Sequence, residues 1–177
     1  MTTPVYSPAD DLIDRIVGLH AGDATHAVRH QRDKVAAATQ GSYDALFDPA
    51  LAGVSLTDRL LVALYACALT PAPELAEHYR TRLSEQGADA ALIAAVETDK
   101  IDGVPDAALR AILTFTRTLI LDPVKGDKAA LETLPAAGVS TPDVVAIAQL
   151  IAFLSYQVRL VASLKAMAAA RAQGVAA

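Results

Sequence analysis

The chain has 177 residues, 53% of them hydrophobic, and a net charge of −5 at pH 7. This apolar content predicts one folded domain, or two small halves around a shared core, and argues against extensive disorder. No dense Lys/Arg cluster is present, so nucleic-acid binding is not expected. The single cysteine excludes an internal disulfide and a cysteine-only zinc site. The polar opening MTTPVYSPADD does not resemble a signal peptide, so a cytoplasmic location is expected.

Apolar residues recur at helical spacing along nearly the whole chain, beginning with an N-terminal extension of about residues 8–50. Its first predicted helix begins at Ser7-Pro8-Ala9-Asp10, which places a capping side chain, a proline and an acid in order. This helix is expected to continue to about His20. Further helices are predicted from about Ala24 and from Ser42 to Phe47.

A core helical hairpin is predicted over about residues 56–100. Its first helix starts at Ser55-Leu56-Thr57-Asp58, and its apolar face consists of Leu60, Leu61, Leu64 and Cys67. The second helix is expected to start with Thr70 as cap and Pro71 at its first position, and to end at Gly87. Residues 89–98 continue the helical pattern.

The C-terminal helices are predicted over about residues 105–170, and the last of them starts at Ser140-Thr141-Pro142-Asp143. That helix is apolar on nearly every side, which predicts either a central core helix or a helix partly covered by a second subunit. Arg159 interrupts its most apolar part, so a membrane span is not expected. Since no alternating strand pattern occurs, the prediction is an all-α single domain of about seven to eight helices.

Three stretches of the chain resemble parts of one known family. Thr57-Asp58-Arg59 at a helix start, a second helix carrying His78, and then Gly87 resemble the core hairpin of the alkylhydroperoxidase D-like, or carboxymuconolactone decarboxylase (CMD), superfamily. AAGVSTPDVVAIAQLIAFLSYQVRLVASL is similar to its peroxidase-related branch. DLIDRIVGLHAGDATHAVRHQRDKVAAATQGSYDALF resembles a cysteine-poor subgroup known as CMD domain proteins. The resemblance implies an alkylhydroperoxidase D-like helical fold and a homo-oligomer.

Redox members of that superfamily carry the motif Cys-x-x-Cys-x-x-x-His, with a glutamate upstream. Counted back from His78, the two cysteine positions fall on Pro71 and Glu74, and the glutamate position falls on Arg59. The resemblance therefore implies a member with little or no intrinsic hydroperoxide reductase activity. Its expected role is assembly or ligand binding, with a cysteine-bearing relative as a candidate partner.

An acid/base enzyme is the first alternative, with decarboxylase-like chemistry on a small carboxylated substrate. His78 and Glu74 are one helical turn apart, so the carboxylate can orient the imidazole as a general acid or base. Arg159 would anchor the substrate carboxylate, with Asp58 and Tyr156 as further binding residues. In the structural alternative, Arg159 is a buried guanidinium paired with Asp58, and His78 lies at a subunit contact or beside Tyr79.

A single-cysteine peroxidase using Cys67 is the further alternative. Cys67 shares an apolar helix face with Leu60 and Leu64, and buried thiols without a cationic neighbour are inert. A structural role is therefore the favoured interpretation of this cysteine.

His26 and His30 have the i, i+4 spacing of two metal ligands. The glutamate of a zincin motif is missing, and Arg29 and Arg32 lie close enough to repel a cation. This segment is therefore interpreted as a solvated helix face without a metal. The sequence contains no cofactor fingerprint, so no cofactor is predicted.

Overall fold

A computed structural model describes residue 7 and residues 10–174 of the chain. Within these residues the regular structure is helical and no strand occurs, so the all-α prediction is confirmed. The α-helices in this part of the chain are α1 (Leu12–Val17), α2 (Ala24–Arg29), α3 (Asp33–Leu46), α4 (Leu56–Leu69), α5 (Pro73–Glu85), α6 (Ala90–Glu97), α7 (Ala107–Leu121), α8 (Lys128–Ala136) and α9 (Thr141–Ala172). Short 3-10 turns follow α2, α6 and α7.

The first helix starts later and ends earlier than the sequence pattern predicts. Pro8 and Ala9 of the predicted start lie outside the described residues, and α1 is capped by Asp11, whose side chain accepts a hydrogen bond from the backbone N–H of Asp14. The helix ends at Gly18, which adopts a left-handed conformation with φ 76°. Glycine takes this conformation without a steric penalty, so α1 stops before His20.

The predicted start of a separate helix at Ser42 is wrong, because α3 runs unbroken from Asp33 to Leu46. The Ser42 hydroxyl does not cap a new helix. It donates to the carbonyl of Ala38, one turn earlier, as serine does inside a helix.

The junction between α4 and α5 differs by two residues from the prediction. Thr70 is the C-cap of α4 and donates its N–H to Ala66, whereas α5 begins at Pro73. A proline disfavours the helical conformation in the residue before it, and Ala72 is accordingly outside that region, with φ −141° and ψ 74°. Pro71 is therefore excluded from the helix, and Pro73 takes the first helical position.

The described chain falls into two compact units, one of residues 46–158 and one formed by residues up to 45 together with those from 159 onward. Helix α4 is at the centre of the first unit, where it packs against α5, α6 and α7. Every residue from Arg59 to Cys67 is buried, so α4 is covered on all sides. Helix α9 contributes its residues before Arg159 to this unit and the later ones to the other.

Helix α9 is the one helix in the described residues that is long and apolar enough to cross a membrane. In its most apolar window, 44% of the residues are buried within the protein. A core helix of a water-soluble protein has the same length and composition, so this is weak evidence and does not establish a membrane protein.

Candidate functional site

His78 and Glu74 lie one turn apart on α5, as the sequence predicts for an acid/base pair. Both residues are half-buried, so neither is sealed in the core of its unit. The His78 ring meets the ring of Tyr79 edge to face, with 5.2 Å between the centroids. The pair is thus placed on a regular helix, with partial access to solvent.

The two positions that the resemblance matches to cysteines are also near the surface. Pro71 is exposed in the turn before α5, and Glu74 lies in the first turn of that helix. A carboxylate in the first turn is favoured by the helix dipole. Helix stability therefore explains a glutamate at position 74 as well as the acid/base hypothesis does.

Cys67 is in the buried segment of α4, with only 2% of its surface exposed. Burial raises the pKa of its thiol to about 12. A thiol attacks peroxides and disulfides as the thiolate, which a raised pKa and an apolar surrounding both suppress. The geometry is that of a structural cysteine.

Asp58 completes a capping arrangement at the start of α4. The Ser55 hydroxyl donates to Oδ2 of Asp58 over 2.8 Å and accepts from the Asp58 backbone N–H over 3.1 Å. Burial raises the pKa of the Asp58 carboxyl, the Ser55 hydrogen bond opposes this, and the charge of Asp106 adds to it. Asp58 therefore has a structural role at the helix start.

Arg159 and Tyr156 are both exposed on α9. Within the single chain the Arg159 guanidinium is therefore not buried, and its predicted burial stays a prediction. Asp58 belongs to the unit of residues 46–158 and Arg159 to the other unit, and their predicted pairing stays a prediction. The Tyr156 ring lies 6.4 Å, centroid to centroid, from that of Phe153.

Arg59 is a buried cation whose role the sequence interpretation did not identify. Only 3% of the residue is exposed, and its guanidinium donates to backbone carbonyls of the segment before α4. Nε donates to Val54 over 3.1 Å, NH2 to Asp48 over 3.0 Å, and NH1 to Leu46. Burial lowers the pKa of the guanidinium, and the charge of Asp48 opposes that shift. At the position matched to the family glutamate, this residue holds the chain in place.

A second polar cluster lies in the other unit, where α1 and α2 place two carboxylates, an arginine and two histidines together. We name it the Asp14 cluster; its members are Asp11, Asp14, His26, Arg29 and His30. Arg29 pairs with Asp11 over 2.9 Å and with Asp14 over 3.0 Å. Nε2 of His30 lies 2.7 Å from Oδ2 of Asp14, and Nε2 of His26 lies 3.7 Å from the same oxygen.

The predicted solvated helix face at His26 and His30 is wrong. Their side chains are only 18% and 11% exposed, and the rings stack with centroids 4.2 Å apart. The i, i+4 spacing of His26 in α2 and His30 in the 3-10 turn after it indicates that they share a face, but it does not show that Asp14 of α1 lies against that face. The sequence feature that pointed to this cluster was the pair of aspartates at the start of α1, Asp11 and Asp14.

Three residues of the Asp14 cluster could hold a metal ion. One ligand atom each from Asp14, His26 and His30 lies within 4.8 Å of the others. Asp11 is already engaged, because its carboxylate accepts from Arg29 and from the backbone N–H of Asp14. The arrangement can bind a cation or exchange a proton between carboxylate and imidazole.

An open groove of about 610 Å³ lies in the unit of residues 46–158, beside α7 and α8. It is lined by Asp102, Ala107, Arg110, Ala111, Thr114, Thr133, Ala136 and Ala137. His78 and Glu74 are not among these residues. The candidate acid/base pair and this groove are therefore separate features.

Fold and side chains together define an all-α protein in which Glu74 and His78 are half-buried, Cys67 is buried, and Asp, His and Arg side chains form a largely buried cluster. Comparisons of the sequence with protein-family models and with curated proteins gave no match. Membership of the CMD superfamily therefore stays a prediction from the resemblance.

Proposed function

We propose that this chain is a CMD-like protein that does not act as a thiol peroxidase and works instead as a binding or assembly component, in a homo-oligomer. The observation that carries this proposal is the state of its only thiol, the Cys67 side chain. Cys67 is buried and its pKa is raised to about 12, while Pro71 and Glu74 occupy the positions matched to the redox cysteines.

The chemistry of peroxide reduction supports this proposal. A thiolate must reach the peroxide oxygen, form a sulfenic acid, and then be resolved by a second thiol. Cys67 offers neither access nor a thiolate at neutral pH, and the chain has no second cysteine.

An oligomer is supported by the apolar surface that α9 leaves uncovered. Val145 and Tyr156 are exposed on this helix, and less than half of its most apolar window is buried. A second copy of the chain, or a cysteine-bearing relative, would remove this surface from water. Burial in such a contact, in the cytoplasm, is the proposed role of the apolar helix.

The test is organic hydroperoxide turnover by the purified full chain, with a small dithiol as reductant, together with the mass in solution. The proposal expects turnover close to the protein-free rate, unchanged in Cys67→Ser, and a mass above that of one chain. Turnover that is well above this rate and is lost in Cys67→Ser would overturn it. The mass of a single chain at micromolar protein concentration would contradict the proposed assembly role.

Proton-transfer chemistry is the second candidate, and the partial exposure of Glu74 and His78 on α5 favours it. His78 would accept or donate the proton, and Glu74 would orient the ring and stabilise its charged form. Turnover of a small carboxylated compound that falls at least about 100-fold in His78→Asn, with unchanged folding, would support this function. His20→Asn, at an exposed histidine, is the matched control.

A further inference from the structure

We propose that Asp14, His26 and His30 form a binding site for one divalent transition-metal cation of the zinc type. Oδ2 of Asp14 is 2.7 Å from Nε2 of His30 and 3.7 Å from Nε2 of His26. Tetrahedral zinc with ligands at about 2.0–2.1 Å separates neighbouring ligand atoms by roughly 3.3 Å. The two distances lie on either side of that value, and the stacked rings would turn apart so that both Nε2 atoms point at one ion.

The hydrogen bonds of His30 conflict when no cation is bound. Its Nε2 lies 2.7 Å from Oδ2 of Asp14 and 3.1 Å from a guanidinium nitrogen of Arg29. A neutral ring nitrogen either donates or accepts, so each tautomer satisfies one neighbour and opposes the other. A cation on Nε2 and Oδ2 would use both of these atoms, and Arg29 would keep Asp11 and Oδ1 of Asp14 as its partners.

Asp14 is the carboxylate that remains for a metal. Asp11 accepts two hydrogen bonds, from NH2 of Arg29 over 3.0 Å and from the Asp14 backbone over 3.0 Å. Oδ1 of Asp14 faces NH1 of Arg29 at 3.0 Å but has no aligned hydrogen bond within the described residues. Arg29 thus orients Asp14 through Oδ1 and leaves Oδ2 directed at the two rings.

The charge of the cluster also favours a cation. Two carboxylates and one guanidinium give a net charge of −1, before either imidazole is counted, in a largely buried place. Arg29 repels a metal ion, but Asp11 neutralises it at 2.9 Å. This proposal differs from the sequence-based expectation that no metal binds here.

The donor atoms select the class of metal. Imidazole nitrogen suits zinc, copper, nickel and iron, whereas magnesium and calcium prefer oxygen ligands. Three protein ligands leave a fourth tetrahedral position for water or another small ligand, as in sites that exchange ligands. The proposal stands independently of the function proposed above, because it involves neither Cys67 nor α5.

The test uses the untagged full chain after removal of metals, titrated with Zn²⁺ alone by calorimetry and with Co²⁺ by visible absorption. The unchanged chain is expected to bind one equivalent, with the intense cobalt bands of a tetrahedral site. His26→Gln and His30→Gln should each weaken binding by at least about 10–100-fold, the loss that even an outer partner of a metal site causes. His20→Gln, at an exposed histidine of the same unit, should bind as the unchanged chain does.

Folding of each variant is checked by helix content and thermal unfolding. His26 is the more exposed ligand, so His26→Gln decides the question if His30→Gln does not fold. Zn²⁺ should also raise the Tm of the unchanged chain and of His20→Gln, and raise that of His26→Gln clearly less at the same Zn²⁺ concentration. No binding by the unchanged chain at millimolar Zn²⁺, or equal binding by His26→Gln, would overturn the proposal.

Discussion

The hydroxyl of Tyr79 donates a hydrogen bond of 2.6 Å to Oε1 of Gln157, and both side chains are fully buried. The bond connects α5 to α9 inside the unit of residues 46–158. Nε2 of the same Gln157 amide has no hydrogen-bond partner within the described residues. The hydrogen bond from the Tyr79 hydroxyl thus offsets part of the free-energy cost of burying the Gln157 amide.

Removing that hydroxyl should destabilise the fold. Tyr79→Phe keeps the ring but leaves Oε1 of Gln157 without its donor, which costs about 1–3 kcal/mol for a buried polar group. Urea unfolding followed by circular dichroism measures the difference. Ser84→Ala, on the same helix as Tyr79, removes an exposed hydroxyl and should stay within about 0.5 kcal/mol of the unchanged chain. Equal stability of the two variants would show that the Tyr79 contact carries no energy.

Arg59→Lys should destabilise the segment before α4. A lysine ammonium cannot reproduce the fork of donors that reaches Leu46 and Asp48. Losing two charge-assisted hydrogen bonds, at about 1.5 kcal/mol each, predicts a loss of about 3 kcal/mol. Urea unfolding gives the free energy of unfolding, and chymotrypsin cleavage near Phe47 should become faster.

The matched control for Arg59 is Arg82, which reaches the same segment from α5. Its NH2 donates to the Phe47 carbonyl over a long 3.5 Å, and its guanidinium lies 5.4 Å from the centre of the Phe47 ring. Arg82→Lys should therefore cost clearly less than Arg59→Lys. A larger loss at Arg82 would contradict the assignment of Arg59 as the main tether.

The thiol of Cys67 should be nearly unreactive in the folded protein. With a pKa of about 12, roughly one thiol in 10⁵ is ionised at pH 7, so reaction with an aromatic disulfide reagent should be on the order of 10³-fold slower than in urea. Absorbance at neutral pH follows the reaction. A chain with Cys67→Ser and Ser84→Cys, at an exposed helix position, should react at the rate of a free thiol. Fast labelling of the unchanged chain would contradict the buried assignment.

The Asp58 carboxyl should make the free energy of unfolding fall as the pH rises above the pKa that this group has in the unfolded chain. Its pKa in the folded chain is raised above 3.8, so the folded state binds the proton more tightly than the unfolded state. Stability is therefore fully present below pH 3.8 and is partly lost as the pH rises through the folded pKa. Asp58→Asn keeps an acceptor for Ser55 and should lack this loss, so its free energy of unfolding relative to the unchanged chain rises over that window.

Unfolding by urea at a series of pH values from about 3.5 to 7 measures the Asp58 effect. Asp106→Asn removes the like charge that helps to raise the Asp58 pKa. This substitution should therefore narrow the pH range over which stability is lost. Asp106 caps α7 through its side-chain oxygen, which asparagine retains. A difference between Asp58→Asn and the unchanged chain that does not vary with pH would contradict this account.

The sequence predicts the ends of a helix well where a single residue near that end can serve as its cap or terminator. Ser55 caps α4 as predicted, and α5 ends before Gly87, which has a φ of 67°. The predicted first start at Ser7 lies partly outside the described residues, and α1 begins after Asp11, whose carboxylate caps it. The pattern around Ser42 failed because a serine hydroxyl serves either as a cap or as a donor within a helix.

The candidate sites depend on tertiary contacts that spacing cannot reveal. The sequence places Glu74 and His78 one turn apart, and it correctly separates Cys67 from any cationic neighbour on its own helix. The Asp14 cluster needs α1 against α2, and the role of Arg59 needs backbone carbonyls of the preceding loop. Neither relationship has a periodic signature within one helix.

The burial of Cys67 has a practical consequence for spectroscopy. A sulfhydryl introduced at an exposed position would take a maleimide dye or a nitroxide radical without removal of the natural residue, because the chain has only one cysteine and it is enclosed. Two such probes, one in each compact unit, would report interprobe distances by fluorescence transfer or electron resonance on the protein with its packing intact.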